Sequence, residues 1–239
     1  ENIIILPPTY GMYEVAAKIN DIVVKAVNLS GNLQLNLPEI FSAINNDTKL
    51  IFICTPNNPT GSIISKTDIE NLLNNFNGIV VVDEAYIDFA DVESLLQDMG
   101  KYPNLIILQT FSKAWGLAGL RVGTAFASVE IIGIMNKIKA PYNVGELAQN
   151  LVLQALDNKD KVTEMIFLLK KDRAILVNKL SGFSFVKEIL PSQANFLLVK
   201  TTGPDELYKF LVSNNIVVRN RSSLPLCEGG LRITIGTSE

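Results

Sequence analysis

Histidine occurs nowhere in the 239 residues. That absence removes Ser/His/Asp and Cys/His catalysis together with the commonest zinc ligand, and leaves acid–base work to lysine, tyrosine and carboxylates. Cysteine is scarce as well: Cys54 and Cys227 stand far apart with no CxxC. Such a pattern supplies neither a disulfide framework nor a cysteine metal site, and it reads as two reduced thiols of a cytoplasmic protein. Excess positive charge is also missing. With 21 Lys and Arg against 24 Asp and Glu the net charge is -3, and the bases are spread along the chain, so no nucleic-acid partner is expected. No apolar run is long. Ile3 to Leu6 and Ile79 to Val82 are strand-length, far short of the roughly 20 residues that cross a bilayer, and no membrane partner is expected. The chain opens Glu-Asn-Ile-Ile-Ile-Leu without an initiator methionine or a signal-peptide pattern, and reads as a piece of a longer protein that enters a domain partway.

What is present is the composition of a globular core, 48% hydrophobic and 19% charged, which argues against disorder. Short β-branched runs bounded by turn residues read as strands: Ile3 to Leu6, Ile22 to Val27, Leu50 to Cys54, Ile79 to Asp83, Leu105 to Thr110 and Leu120 to Phe126. Between them Ile69, Leu72, Leu73 and Phe76 recur at helical spacing. The alternation predicts an α/β fold, a mostly parallel sheet flanked by helices, with strands so uniformly apolar that both faces are buried. From about Asn158 the texture changes to a lysine-rich helical stretch through Leu180, then strands near Phe196 to Lys200, Ile216 to Arg219 and Leu231 to Ile235, with a helix at Asp205 to Val212. The expected organisation is a large domain over 1–157 and a smaller α+β domain over 158–239. The stretch Ala140 to Asn143, with Pro141, is the candidate joint.

Chemistry-bearing residues collect where the predicted strands end, which is where open α/β sheets place their ligands. Asp83 and Tyr86 follow Ile79 to Val82; alone, Asp83 reads equally as a helix cap or as half of an ion pair. Ser112, Lys113 and Arg121 follow Leu105 to Leu108. A lysine there is more often solvated, but Trp115, Gly116 and Gly119 crowd it into a shaped loop, and Ser112 with Arg121 offers a hydroxyl and a planar fork to a phosphate. Asn58 sits in a rigid turn of two prolines and a glycine after Cys54, where it could merely satisfy backbone groups. Tyr10 follows Ile3 to Leu6 as an aromatic able to stack on a planar ligand or to cover the core.

The segments PTYGMY, CTPNNPTG, VVVDEAYIDF, TFSKAWGLAGLRVG and GGLRITIG resemble the fold-type I aminotransferases, in that family's order and across essentially the whole chain, with its histidinol-phosphate branch nearest in wording. The resemblance implies pyridoxal 5'-phosphate (PLP) as cofactor, with Lys113 as its Schiff-base lysine and proton shuttle. It implies Asp83 on the pyridinium nitrogen, Tyr86 and Asn58 on the ring hydroxyl, Ser112 and Arg121 on the phosphate, and Tyr10 stacked on the ring. Arg232 matches the arginine that holds the substrate's anionic group, Asn58 is counted with the substrate-binding residues, and Arg219 matches a second arginine used on the substrate phosphate. The implied reaction moves an amino group between L-histidinol phosphate and 2-oxoglutarate, in a cytoplasmic homodimer of histidine biosynthesis. The family's N-terminal region and last helix have no counterpart here. Two other readings stay open: a different PLP enzyme of this fold, such as an aromatic-amino-acid aminotransferase or a phosphothreonine decarboxylase, and a non-catalytic module that keeps the fold.

Overall fold

The apolar runs pair into a six-stranded sheet in the computed structural model, which describes residues 1–237. The strands are β1 (Asn2–Ile5), β2 (Val23–Ala26), β3 (Thr48–Cys54), β4 (Ile79–Asp83), β5 (Leu105–Thr110) and β6 (Gly123–Phe126), in the order β2-β1-β3-β4-β5-β6. All neighbours run parallel except β5 and β6. Side chains alternate along each strand, so each run feeds two cores. Ile4, Ile51, Val80 and Ile107 pack with Ile40 of α2 (Leu37–Ala43) and Leu72 of α3 (Lys66–Asn75) on one face. Ile3, Ile5 and Cys54 pack with Tyr13 and Ala17 of α1 (Met12–Ile19) on the other. Ile51, Val80 and Ile107 retain no exposure, and each such side chain contributes about 1.5–3 kcal/mol by leaving water. Full burial does not extend to β2, where Val23 is 62% exposed, because an edge strand has a neighbour on one side alone.

Beyond α4 (Val129–Ile138), α5 (Glu146–Asp157) and the 23-residue α6 (Lys159–Ser181) lies a second sheet. It comprises β7 (Val186–Ile189), β8 (Phe196–Thr201), β9 (Arg219–Asn220) and β10 (Gly230–Thr234), antiparallel throughout in the order β7-β8-β10-β9, with α7 (Pro204–Ser213) before β9. Besides β2, which loses one residue at each end, two strands are shorter than their sequences predict. Asn215 turns the chain at φ 62° and Ile216 N–H bonds back to Leu211 O, closing the end of α7, and residues 216–218 run on as irregular backbone that does not join the ladder. Leu120 closes a single 3₁₀ turn and Arg121 takes φ 56°, so β6 begins at Gly123.

One glycine ties the two sheets together where the site forms. Gly61, at φ 75°, lets the turn after β3 pass under the β7–β8 loop, and its carbonyl accepts the Gln193 N–H at 2.8 Å. A Cβ at Gly61 would strike Ser192 Oγ, which donates to Phe196 O at 2.6 Å and is not free to move aside. Gly61→Ala should therefore lower the free energy of unfolding by about 1–3 kcal/mol. The measurement is a urea midpoint with unchanged slope; a midpoint equal to the parent's would show that this contact carries no strain.

Candidate active site

Asp83 ends β4 and its neighbour Glu84 points the opposite way, as strand alternation requires. Glu84 is absorbed on the far side, where its carboxylate accepts Leu95 N–H and Gln109 Nε2 at 2.9 Å each and the Ser94 hydroxyl. Asp83 instead faces the α1 side. There Tyr13 Oη donates to its Oδ2 at 2.5 Å and the Ala85 N–H to its Oδ1 at 3.0 Å. Burial pushes the Asp83 carboxyl up from the usual carboxylate range, while the Tyr13 hydroxyl, the Ala85 amide and the charge of Lys113 pull it back. Tyr13 is held in turn by stacking on Phe52, with ring centroids 4.8 Å apart. Burial first, then the neighbouring Cys54 and Asp83, pushes the Tyr13 phenol up, and burial, then the field of Asp83, does the same to the Cys54 thiol, so both stay neutral.

Lys113 arrives from the loop after β5. That loop folds on itself: Phe111 N–H bonds Val122 O, Leu117 N–H bonds Phe111 O and Gly116 N–H bonds Lys113 O, with Gly116 at φ 68° supplying the turn. The amine is half-buried and stands 5.2 Å from the centre of the Tyr86 ring. Burial first, then repulsion from Arg232 and Arg121, holds its pKa below the usual lysine range, against the attraction of Asp83. A lysine so placed is uncharged a larger fraction of the time near neutral pH, which is what a nucleophilic or basic amine requires. Tyr86 is buried, packs edge-on against Phe196 and is pushed up to about 12 by burial. Neutral, it is a hydrogen-bond donor.

A cavity of about 260 Å³ unites these groups. Tyr10, Asn58, Asp83, Tyr86, Ser112, Lys113 and Arg121, all singled out in the sequence, line it. Arg121 is exposed and its Nη1 donates to Ala118 O at 3.0 Å. The two arginines of the second sheet do not line the cavity. Arg232 stands at its edge, with Nη1 donating to Asn58 Oδ1 at 2.7 Å and its guanidinium over the Phe196 ring at 5.0 Å. Arg219 is exposed on β9, paired across the ladder with Arg232. Sequence reasoning missed Tyr13 and treated Cys54 as a bystander, although Cys54 lines the cavity too. Tyr13 lies inside the quoted PTYGMY segment, but an aromatic in an amphipathic helix reads as core, and its bond to Asp83 spans 70 positions.

A family model described as aminotransferase class I and II matches residues 1–239. The histidinol-phosphate aminotransferase of Cytophaga hutchinsonii is 49% identical over 237 residues, which cover 99% of this chain and 68% of that protein. Among solved structures, the histidinol-phosphate aminotransferase of Clostridium acetobutylicum superposes with a TM-score of 0.92 at 26% identity, covering 100% of this chain and 74% of its own. The Sinorhizobium meliloti histidinol-phosphate aminotransferase, solved in complex with pyridoxal-5'-phosphate, has the same fold, with a TM-score of 0.89 at 21% identity over 99% of this chain and 66% of its own.

Removing the Tyr13 hydroxyl tests the geometry directly. In Tyr13→Phe, Asp83 keeps its burial and loses a donor, so its carboxyl should titrate at higher pH than in the parent. Because burial raises the folded-state value, Asp83 favours folding while protonated and loses that contribution as pH rises through its folded pKa. The destabilisation of Tyr13→Phe should accordingly be small in acid and grow to about 1–3 kcal/mol once Asp83 is ionised. Carboxyl-carbon NMR titration and urea unfolding across the same pH range read both effects; a loss independent of pH would mean that Tyr13 acts by packing alone.

Proposed function

We propose, because the chain belongs to the class I and II aminotransferase family, that it moves an amino group between L-histidinol phosphate and 2-oxoglutarate with PLP as cofactor. The observation that carries this reading is the set of three groups at one cavity: a buried carboxylate with no cation bonded to it among the described residues, a lysine held below its usual pKa, and arginines at the rim. A buried carboxylate bonded only to neutral donors fits a ligand that brings its own protonated ring nitrogen. Ser112 and Arg121 fit a phosphate at the loop end of the same cavity, and the exposed Tyr10 fits a cover for a planar ring.

PLP, when bound, supplies an aldehyde carbon for the amino group and a ring that accepts the electron pair released at the substrate's Cα. Lys113 would hold that aldehyde between turnovers and, as a free amine, take the proton from Cα and return it on the other side of the transfer. Asp83 would keep the ring nitrogen protonated, and Tyr13 would keep Asp83 ionised. Tyr86 and Asn58 would hydrogen-bond the ring hydroxyl, with Asn58 also fixing Arg232. Arg232 would bind the anionic end of either substrate, and Arg219 would add a second fork to a substrate phosphate. We place the domain division at 157/158, between the six-stranded and four-stranded sheets. Apolar side chains exposed on α4 and α5, among them Ile134, Ile138 and Leu147, support a homodimer, and the two free thiols support a cytoplasmic location.

Two outcomes are expected. Borohydride reduction after PLP addition should fix the pyridoxyl group on Lys113, and this should persist at a pH where exposed lysines no longer react, since burial depresses the Lys113 pKa; peptide mapping that finds the label elsewhere refutes the assignment. Arg219→Ala should raise KM for histidinol phosphate roughly 10- to 100-fold and change KM for an unphosphorylated amino acid far less. Equal losses on both substrates would return Arg219 to a structural role.

A further inference from the structure

The four-stranded sheet carries an unusual charge arrangement at its β9 edge. Arg219 of β9 lies directly opposite Arg232 of β10, and like charges in that relation destabilise a strand pair. The ladder continues one residue further, since Arg221 N–H bonds Gly230 O at 2.8 Å. Alternation then turns Arg221 to the same face as Arg219 and makes it the diagonal neighbour of Arg232. Asn220, between them, faces the other way and is pinned there by Asp205 and Ser222. Its side chain does not separate the charges. Burial, then repulsion from Arg221 and Arg219, holds the Arg232 guanidinium below its usual pKa. Acidic residues outnumber basic ones in this chain, yet among the described residues no carboxylate lies within 4.0 Å of any of these three arginines.

Arg221 also lines a separate cleft of about 350 Å³ between the β1–α1 loop and the segment after β9. Tyr10 and Asn58 line both this cleft and the cofactor cavity, so the two adjoin. Two polar atoms beside it are buried without a hydrogen-bond partner: Thr9 Oγ1, on the cleft wall, and Arg232 Nε, on the guanidinium bonded to Asn58. Unsatisfied buried donors of this kind are uncommon in folded proteins and mark a place where a ligand completes the bonding.

We propose that Arg221 is a third substrate-binding arginine that selects a phosphate dianion over a carboxylate, completing with Arg219, Arg232 and Thr9 an anion site that opens from the cofactor cavity. The inference rests on the transaminase reading and narrows its substrate class. A carboxylate is a single charge that one guanidinium fork satisfies. A phosphate monoester carries up to two charges on three terminal oxygens, and its transfer from water needs several charge-assisted bonds. A third unpaired arginine is superfluous for the first ligand and useful for the second.

The test uses the PLP-loaded protein, so that the cofactor's own phosphate site is filled. Inorganic phosphate is titrated calorimetrically into the parent, Arg221→Gln and Arg221→Lys, and KM is measured for histidinol phosphate and for glutamate. In Arg221→Gln the phosphate Kd and the KM for histidinol phosphate should both rise roughly 10-fold, the loss of one charged hydrogen bond, while KM for glutamate and both kcat values stay within about twofold. Arg221→Lys should recover part of the loss, because a point charge replaces a fork. Phosphate binding equal to the parent's in Arg221→Gln would overturn the assignment, and so would an equal loss on glutamate. Should the parent turn over no phosphorylated amine while its phosphate affinity still depends on Arg221, the histidinol-phosphate reading fails and the anion site stands.

Discussion

The Asp83 carboxylate is drawn out of water by the strand that carries it, and much of the site is arranged around groups that oppose the resulting rise in its pKa. An unpaired buried charge is costly enough that a carboxyl normally neutralises. Here the opposing contributions are a phenol at 2.5 Å, a backbone amide at 3.0 Å and the field of Lys113. Those partners are supplied by distant stretches of chain. Tyr13 comes from α1, fixed by stacking on Phe52 of β3; Lys113 comes from the loop after β5. The parallel order β1-β3-β4-β5 brings the ends of all four strands to one edge of the sheet, so a single buried charge can be served from each.

Moving outward, charge changes sign. Asp83 is the floor, Lys113 stands above it near the face of Tyr86, and Arg121 and Arg232 occupy the rim. The depressed pKa of Lys113 follows from this order: burial lowers it, the rim arginines lower it further, and Asp83 limits the fall. A positive rim of this kind would direct its field toward an anionic ligand. Arg232 also links the sheets, because it springs from β10 and ends on Asn58 of the turn after β3. Gly61 is in that same turn, and its carbonyl is bonded by Gln193 from the β7–β8 loop. The second sheet therefore meets the first beside the cavity, through Asn58 and Gly61 of a single turn.

How far this was legible follows from the range of each interaction. Strands β3, β4 and β5 are apolar runs whose composition alone dictates burial on both faces, and Asp83 stands out because it ends such a run. Ile216 to Arg219 has the same composition but is no strand before Arg219, since Asn215 at φ 62° closes α7 first; the local closure of a helix outweighs β-propensity just beyond it. Met12–Ile19 and Leu37–Ala43 are not predicted as helices, because at eight and seven residues each offers only about two turns of periodicity. The residues at strand ends could be named from motif order, yet the motif does not disclose that Arg219 faces Arg232 across a ladder or that Asn58 is bonded to Arg232. Those facts depend on register, which no local pattern encodes.

The choice of a phenol as the partner of Asp83 has its own logic. A lysine or arginine bonded to the carboxylate would hold it ionised more strongly, but the pair would be internally neutral and would present no net charge to a cationic ligand. A neutral donor stabilises the anion and leaves its charge uncancelled. Serine or threonine in α1 would be too short to reach Asp83 from a helix that packs a full side-chain layer away, and asparagine would bring an amide with a second donor and an acceptor to satisfy. Tyrosine spans the distance with an apolar ring that packs on Phe52 and ends in a single hydroxyl. In a chain without histidine, it is the side chain that combines reach, neutrality and one directed proton, and burial pushes its phenol further from ionising, so that it remains a donor.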